Sequence, residues 1–154
     1  MKTVRINAPG DGEWIMERVG GAFHVGYDNV LANYDAHGLT GGFVLASYLG
    51  NAIAVHTAGK DQRWCTRTLL WMTFHYIFHQ LGVHKALAPV QSDAYTNIAM
   101  YLRAGWKLET TIMDAYAPGC HMLILSMTAA ECPWLRSHLS RNFRGINVEA
   151  AGYG

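Results

Sequence analysis

The sequence predicts a mixed α/β domain in which helices cover both faces of one sheet. Three strand-like runs lie between residues 29 and 57, with turns at 35–38 and 50–51, which indicates an antiparallel meander. A long segment of helical periodicity then leads to another strand-like run at 85–90, as expected for a crossover to a parallel neighbour. With the remaining segments, the predicted order is β-α-β-β-β-α-β-α-β-β.

The first two elements are short. Thr3 to Asn7 alternates as a strand, and Asp11 can cap a helix that continues to Val19. The pair Gly20-Gly21 then ends this helix.

The meander consists of the runs Asn29–Tyr34, Leu39–Tyr48 and Ala52–Thr57. Gly41-Gly42 interrupts the second run, which predicts a bulge or a close approach of two backbones. Residues 52–55 are all apolar, which is typical of a strand that is covered on both faces.

The longest helix is predicted from about Arg63 to Leu81, because apolar residues recur at helical spacing and Gly82 follows as a cap. The strand Lys85–Val90 contains Pro89, which cannot donate to a sheet ladder. Either an edge strand or a gap beside this strand explains the proline.

A cap at Ser92 or Asp93 predicts a second helix, which ends at Gly105. The runs Trp106–Ala115 and Met122–Met127 follow as an antiparallel pair joined by a Pro-Gly turn. A short helix is expected over 128–139. Residues 1–139 are therefore expected to form a single domain, and residues 140–154 a loose tail or docking arm.

Composition excludes several classes of function. The chain has 154 residues, of which 12 are basic and 11 acidic, and this balance gives no reason to expect a nucleic-acid partner. Neither a signal peptide nor an apolar run of membrane length is present, which predicts a cytoplasmic protein. The 3 cysteines match no zinc pattern, and His75 and His79 lack the glutamate of a metalloprotease helix, so no metal is expected.

Three stretches carry a resemblance to a known family. They are VQSDAYTNIAMYLRAGWKLE from Val90, RWCTRTLLWMTFHYIFHQLGVHKALAPV from Arg63 and MLILSMTAAECPWL from Met122. The first resembles the strand-helix-strand signature of the GNAT superfamily of N-acetyltransferases. The likeness is strongest to the ribosomal-protein acetyltransferase type and to small phage-encoded relatives, and it covers about Asp28 to Leu135.

The resemblance implies a GNAT-like fold with a splayed central pair of parallel strands and a site for acetyl-CoA. The family's pyrophosphate loop corresponds here to residues 61–66, although both of its small residues are replaced, by Trp64 and Thr66. The asparagine that is common at the start of the next helix is Ala94.

A helix N-terminus with nearby arginines can bind phosphate oxygens. The predicted acetyl-CoA contacts are Val55, Thr57, Arg63, Trp64, Cys65, Thr66 and Arg67. The alternative is that Trp64 packs under the meander and that the arginines are solvated. Cys65 near a helix start is also a candidate nucleophile, although no base partner is evident.

The resemblance places Tyr101 near the sulfur of CoA, where a phenol can act as general acid. His56 is the candidate base, because imidazole titrates near neutral pH. Glu109 and Asp114 are alternatives for the base or for binding a cationic substrate. Both Tyr101 and His56 have a purely structural alternative as hydrogen-bonded core residues.

The expected function is the transfer of an acetyl group from acetyl-CoA to a primary amine by direct attack. The acceptor is left open among a protein N-terminus, a lysine and a small amine, and a homodimer is plausible from the aromatics Trp71 and Tyr76 if they are exposed. The alternative is a GNAT-fold module that has lost catalysis and serves in binding or assembly. Such a module could be encoded by a phage.

Overall fold

The computed structural model describes residues 2–135 and the backbone of residues 148–150. The tail predicted at 140–154 lies outside the described residues except for this short strand. The helix predicted over 128–139 is represented, within the described part, by a 3-10 turn at Pro133–Leu135.

The described residues form seven strands and three α-helices in the predicted order, and an eighth strand follows at 148–150. The strands are β1 (Thr3–Ile6), β2 (Asn29–Asp35), β3 (Gly38–Ala46), β4 (Ala52–Gly59), β5 (Lys85–Gln91), β6 (Lys107–Ala117), β7 (Cys120–Thr128) and β8 (Val148–Ala150). The helices are α1 (Asp11–Val19), α2 (Arg67–His75) and α3 (Tyr95–Arg103), and α2 continues into a π-helical turn at Tyr76–Gln80.

All described strands belong to one sheet, in the order β6-β7-β5-β4-β3-β2-β1-β8. The neighbours are antiparallel except for β4 with β5 and β1 with β8. The mixed sheet that the sequence predicts is thus confirmed.

The parallel pair β4–β5 is splayed. Its register includes only Ala52↔Lys85, Ile53↔Ala86 and Ala54↔Leu87, although both strands continue beyond these residues. On its other side β4 stays paired with β3 as far as Gly59, so the separation affects only the β5 side. The gap that the family resemblance implies is therefore present.

Pro89 lies in the half of β5 that has separated from β4, while it remains opposite Ile124 of β7. Because β5 lies between β7 and β4, the edge-strand explanation of this proline is wrong. A residue without an N–H is tolerated here because β4 supplies no acceptor at this level of the sheet.

Two apolar clusters cover the two faces of the sheet. The larger one lies under α2 and α3 and includes Val55, Phe74 and Tyr101. The smaller one lies under α1 and includes Ile15 and Val44. Successive residues of β4 therefore point to opposite clusters, which accounts for its apolar sequence.

Three predicted helix starts are wrong. The cap of α3 is Ala94 rather than Ser92 or Asp93, and no side chain caps this helix. The cap of α1 is Gly10 in a left-handed conformation (φ 86°), whereas Asp11 is the first helical residue and its carboxylate accepts a hydrogen bond from the Tyr34 hydroxyl. The long helix begins at Arg67 rather than near Arg63, because the Thr66 side chain caps it.

Candidate active site

The splay between β4 and β5 opens a cavity of about 230 Å³, here called the inner cavity. His56 and Thr57 line it from β4, Pro89 and Gln91 from β5, and Tyr101 from α3. The structure thus brings the two predicted catalytic residues, Tyr101 and His56, to one cavity.

A larger cavity of about 860 Å³, here called the outer cavity, lies between the segment after β4 and α3. Arg67 and Arg103 supply basic groups to its lining, and Asp61 supplies one acidic group. Asn97 of α3 lines both cavities and so marks the place where they adjoin.

The segment before α2 is held in place by a buried asparagine of β2. The Asn33 Nδ2 group donates to the Trp64 carbonyl oxygen at 2.8 Å and to the Thr66 Oγ1 at 2.9 Å. The same Thr66 Oγ1 accepts the Leu69 backbone N–H at 3.2 Å. Asn33 therefore fixes the position at which α2 begins.

Trp64 packs into the core beneath this segment, with 7% of its surface exposed. Its indole lies over Gly59, where an added Cβ would come within 2.0 Å of the Trp64 Cδ1 atom. A Cβ added at Gly41 would come within 2.7 Å of the Ala58 and Gly59 backbone and within 2.9 Å of the Trp64 Cβ, so the predicted close approach of two backbones is observed. Glycines on two strands thus provide the space that the indole occupies.

The two arginines of the predicted phosphate site occupy different positions. Arg67, the first residue of α2, lines the outer cavity. Arg63 lies in an exposed turn in which its backbone N–H donates to the Asp61 Oδ1 at 2.7 Å, and it does not line the cavity.

The start of α2 has backbone N–H groups available for an anion. The Thr66 side chain and carbonyl accept the N–H groups of Leu69 and Leu70. The N–H groups of Arg67 and Thr68 precede the first intrahelical acceptor and point out of the helix start. Together with Arg67 and Arg103 they form a set of donors and positive charges that can bind an anion.

Tyr101 is almost fully buried, with 2% of its surface exposed. Its hydroxyl donates to the Thr57 Oγ1 at 3.3 Å, and its ring packs edge-on against Trp106 with 5.0 Å between the ring centres. Burial raises the pKa of the phenol, and the hydrogen bond with Thr57 opposes this shift weakly. The phenol therefore keeps its proton at neutral pH and can donate it.

His56 is half-buried on the α1 side of β4. Burial lowers the pKa of its imidazole, and the negative charge of Asp28 opposes the shift. Asp28 in turn accepts the backbone N–H of His24 at 2.8 Å. The imidazole is therefore neutral at neutral pH, as a proton acceptor must be.

The backbone of β4 completes the inner cavity. Val55 is fully buried and Thr57 is 7% exposed, so their side chains support the strand from the α3 side. Beyond Ala54 no described strand is paired with β4 on its β5 side. Polar backbone groups that point to this side are available to a bound molecule.

The other candidates lie elsewhere or have an unsuitable state. Burial raises the pKa of the Cys65 thiol to about 12, which disfavours the thiolate that a nucleophile needs. Glu109 accepts a hydrogen bond from the Ser126 hydroxyl and pairs with Lys85 at 2.9 Å, outside both cavities. Asp114 accepts the Gly119 N–H at 2.8 Å in the β6–β7 turn and lines neither cavity.

Sequence reasoning missed the polar residues Arg18, Gln91, Asn97 and Tyr116 of the inner cavity. The asparagine expected at Ala94 is absent, but Asn97 lies three residues later, and this spacing was the available signal. Arg18 and Tyr116 come from α1 and β6, so only the tertiary structure brings them to the site.

The predictions about membranes and metals concern absences. None of the helices in the described part of the chain is long and apolar enough to cross a membrane. Residues 2–135 contain no cluster of three or more His, Cys, Asp or Glu side chains suited to a metal ion.

Comparison with known proteins supports the fold. No family model and no curated protein sequence matches the chain. Among solved structures, a point mutant of the spermidine N-acetyltransferase from Vibrio cholerae has a TM-score of 0.66 at 15% identity, covering 89% of this chain and 98% of the other. The complex of that enzyme with CoA and spermine has a TM-score of 0.65 at 15% identity, with coverages of 88% and 98%.

A putative GNAT-family acetyltransferase from Desulfovibrio desulfuricans matches with a TM-score of 0.65 at 14% identity, covering 83% of this chain and 99% of the other. The neighbours share the mixed sheet and span nearly the whole domain of this chain. Their low identity shows the architecture alone. The chain therefore has the fold of the GNAT N-acetyltransferases.

Proposed function

We propose that this protein is an N-acetyltransferase that moves an acetyl group from acetyl-CoA to a primary amine. The observation that carries this proposal is the inner cavity, where Tyr101 and His56 meet at the gap between β4 and β5. If Tyr101 and His56 were only hydrogen-bonded core residues, the fold would not need a cavity between them.

The protonation states of the two residues suit direct attack by the amine. Neutral His56 takes a proton from the attacking nitrogen, directly or through a water. The protonated Tyr101 phenol gives a proton to the departing thiolate. Backbone groups around Val55 to Thr57 polarise the thioester carbonyl, as positioned donors do in acyl transfer.

The outer cavity is the proposed site for the phosphates and pantetheine arm of acetyl-CoA. Arg67, Arg103 and the first amides of α2 supply positive charge and hydrogen-bond donors. The loop before α2 contributes three further proposed contacts, Trp64, Cys65 and Thr66. Of these, Thr66 also caps α2. Acetyl-CoA itself supplies the activated acetyl group. The Vibrio cholerae neighbour bound to CoA supports this assignment.

Isothermal titration with acetyl-CoA tests the site, using Arg67→Ala and Arg63→Ala as a matched pair. Because Arg67 lines the outer cavity and Arg63 does not, loss of the Arg67 side chain is expected to weaken acetyl-CoA binding about tenfold, as for one charge-assisted contact. Arg63→Ala is expected to bind within about twofold of the parent. Equal weakening by the two substitutions would contradict the placement of the phosphates.

Absence of binding at millimolar acetyl-CoA would favour the alternative, a GNAT-fold module that has lost catalysis. That alternative draws support from Trp64, a bulky residue at a position that the family fills with a small one. An amine panel assayed beside the titration separates a binder from an enzyme.

The finer expectations remain predictions: the ribosomal-protein or phage subtype, the cytoplasmic location and the homodimer. Trp71 and Tyr76 are half-buried rather than exposed, so they no longer mark an interface. The edge strand β6 is exposed along its whole length and carries Ile112 and Met113, which supports an interface there instead. Sedimentation of the parent and of Ile112→Lys over a range of concentrations tests the dimer.

A further inference from the structure

The inner cavity has an unusual charge pattern for a protein that resembles polyamine acetyltransferases. Its polar lining includes Arg18, His56, Gln91 and Asn97. No Asp or Glu of residues 2–135 lines it. A polyamine carries several ammonium groups, and each group that leaves water requires a compensating negative charge. The described lining instead includes the positively charged Arg18, which would repel such an acceptor.

The acidic residue whose charge affects His56, Asp28, already has a hydrogen-bond partner. Asp28 acts electrostatically on His56, but its carboxylate accepts both the backbone N–H and the ring nitrogen of His24, at 2.8 Å and 3.2 Å. Asp28 is thus engaged by His24 through its Oδ2 atom, and it does not line the inner cavity.

Arg18 is exposed, and its side chain is held in place by Trp14. It lies in the last turn of α1, and its guanidinium stacks 3.5 Å above the Trp14 ring while one N–H donates to the Trp14 carbonyl oxygen at 3.0 Å. No carboxylate of the described residues pairs with it. A guanidinium fixed by stacking has its remaining donors in one plane, the geometry that binds a carboxylate by two hydrogen bonds.

We propose that the acceptor is a small primary amine that carries a carboxylate, as a free amino acid does, and that Arg18 binds this carboxylate. The inference rests on the proposed acetyltransferase function. The cavity of about 230 Å³ accommodates the reacting end of such a molecule between His56 and Arg18. The amine then faces the proposed base while the carboxylate faces α1.

The test measures kcat/KM for free amino acids, for their carboxamides and for spermidine, with the parent protein and Arg18→Gln. The carboxamide keeps the size and shape of the amino acid but lacks its negative charge, and its amine is less basic. For each substrate, the effect of Arg18→Gln is the kcat/KM of the parent divided by the kcat/KM of the variant. Because both values refer to the same substrate, differences in amine basicity between substrates cancel. Lys2→Gln is the control, since it removes one exposed positive charge that lies outside both cavities.

We expect Arg18→Gln to lower kcat/KM for amino acids about tenfold, the effect of one charge-assisted contact. For carboxamides it should change kcat/KM by less than about twofold, and Lys2→Gln should affect neither substrate. An unchanged melting temperature confirms that the variant is folded.

Three results would overturn the inference. A preference of the parent for spermidine, or an equal effect of Arg18→Gln on acids and amides, removes the carboxylate from the acceptor while leaving acetyl transfer intact. Acetyl-CoA binding without acetylation of any amine removes the proposed function, and the inference with it.

Discussion

At the scale of single residues, burial sets the protonation of both proposed catalytic groups in the useful direction. The Tyr101 phenol lies among apolar side chains, with Thr57 as its hydrogen-bond partner, so it holds its proton. The His56 imidazole is shielded on the other face of the same strand and loses its proton more easily than an exposed histidine. Strand β4 thus carries the proposed base, His56, and holds the proposed acid, Tyr101, through Thr57.

Replacing Tyr101 by Phe should lower kcat about 100-fold, the size of a lost general acid, while the dissociation constant of acetyl-CoA changes little. Steady-state kinetics and isothermal titration measure the two quantities. The cost in folding free energy should stay within about 1 kcal/mol, because the ring packing on Trp106 is kept and the lost hydrogen bond is long. Tyr27→Phe, at an 88% exposed position, is the control. Unchanged turnover in Tyr101→Phe would remove this residue from the mechanism.

The pH profile of kcat tests His56. Because burial lowers the pKa of His56, its neutral form should persist below the usual histidine value of about 6.5, and kcat should fall only at lower pH. His56→Gln should lose this acidic limb, whereas His37→Gln, in an exposed turn, should keep it. The same shift means that protonation of His56 destabilises the folded state as pH falls, so circular dichroism must confirm folding at each pH. An acidic limb that survives in His56→Gln would assign the base to another group.

At the scale of elements, Thr66 determines where the phosphate-binding end of α2 begins. Thr66→Ala should lower the free energy of unfolding by about 1 kcal/mol, because the first turn of α2 loses its cap and Asn33 loses a partner. Thr66→Ser keeps the hydroxyl and should remain close to the parent. Urea unfolding measures both variants, and equal stability of Ala and Ser at this position would show that the cap does not contribute.

The contact between Gly59 and Trp64 makes a second prediction for this segment. Gly59→Ala places a methyl group against the indole and should destabilise the fold by about 1–3 kcal/mol through overpacking. In Trp64→Leu the smaller side chain leaves room, so the added cost of Gly59→Ala should become much smaller. A double-mutant cycle in urea measures this coupling, and additive effects of the two substitutions would contradict the packing described here.

The order of the elements follows from local sequence, whereas their exact starts depend on tertiary contacts. Strand alternation and helical spacing are local, and they predicted every element up to β7. The predicted start of α2 was about four residues too early. The residues around Trp64 fit a helical pattern in the sequence, but Trp64 packs in the core beside Gly59 instead of continuing the helix. The π-helical turn at Tyr76–Gln80 has no local signal in the sequence.

The site was predictable to a similar extent. Tyr101 and His56 were identified from a family resemblance, and Pro89 was a local sign of the gap between strands. Arg18 was invisible in the sequence, since its importance depends on α1 packing across β4. Charges that face a cavity can be recognised only once the elements are assembled.

At the scale of the whole molecule, the proposed site would place acetyl-CoA between the two groups of strands that separate at β4 and β5, so ligand binding should stabilise the entire domain. Acetyl-CoA at about 100 times its dissociation constant adds about 2.7 kcal/mol. For a domain of this size that corresponds to a rise in melting temperature of about 5–10 °C. Differential scanning calorimetry measures the rise in melting temperature. At the same concentration, acetyl-pantetheine, which lacks the phosphates proposed to bind at Arg67, should give a smaller rise. Equal shifts from the two compounds would contradict the phosphate site.

The short register between β4 and β5 has a further consequence for how the chain can be divided. Strands β1 to β4 come from the first 59 residues and strands β5 to β7 from residues 85–128, and only three residue pairs join these groups within the sheet. The boundary in space therefore coincides with a boundary along the chain, except for β8, which follows β7 in the chain but pairs with β1. A break beside Gly82, an exposed position between the two groups, should yield fragments that reassociate. Since acetyl-CoA would bridge them, fragment complementation becomes a sensor for that metabolite in which recovery of signal reports the bound thioester.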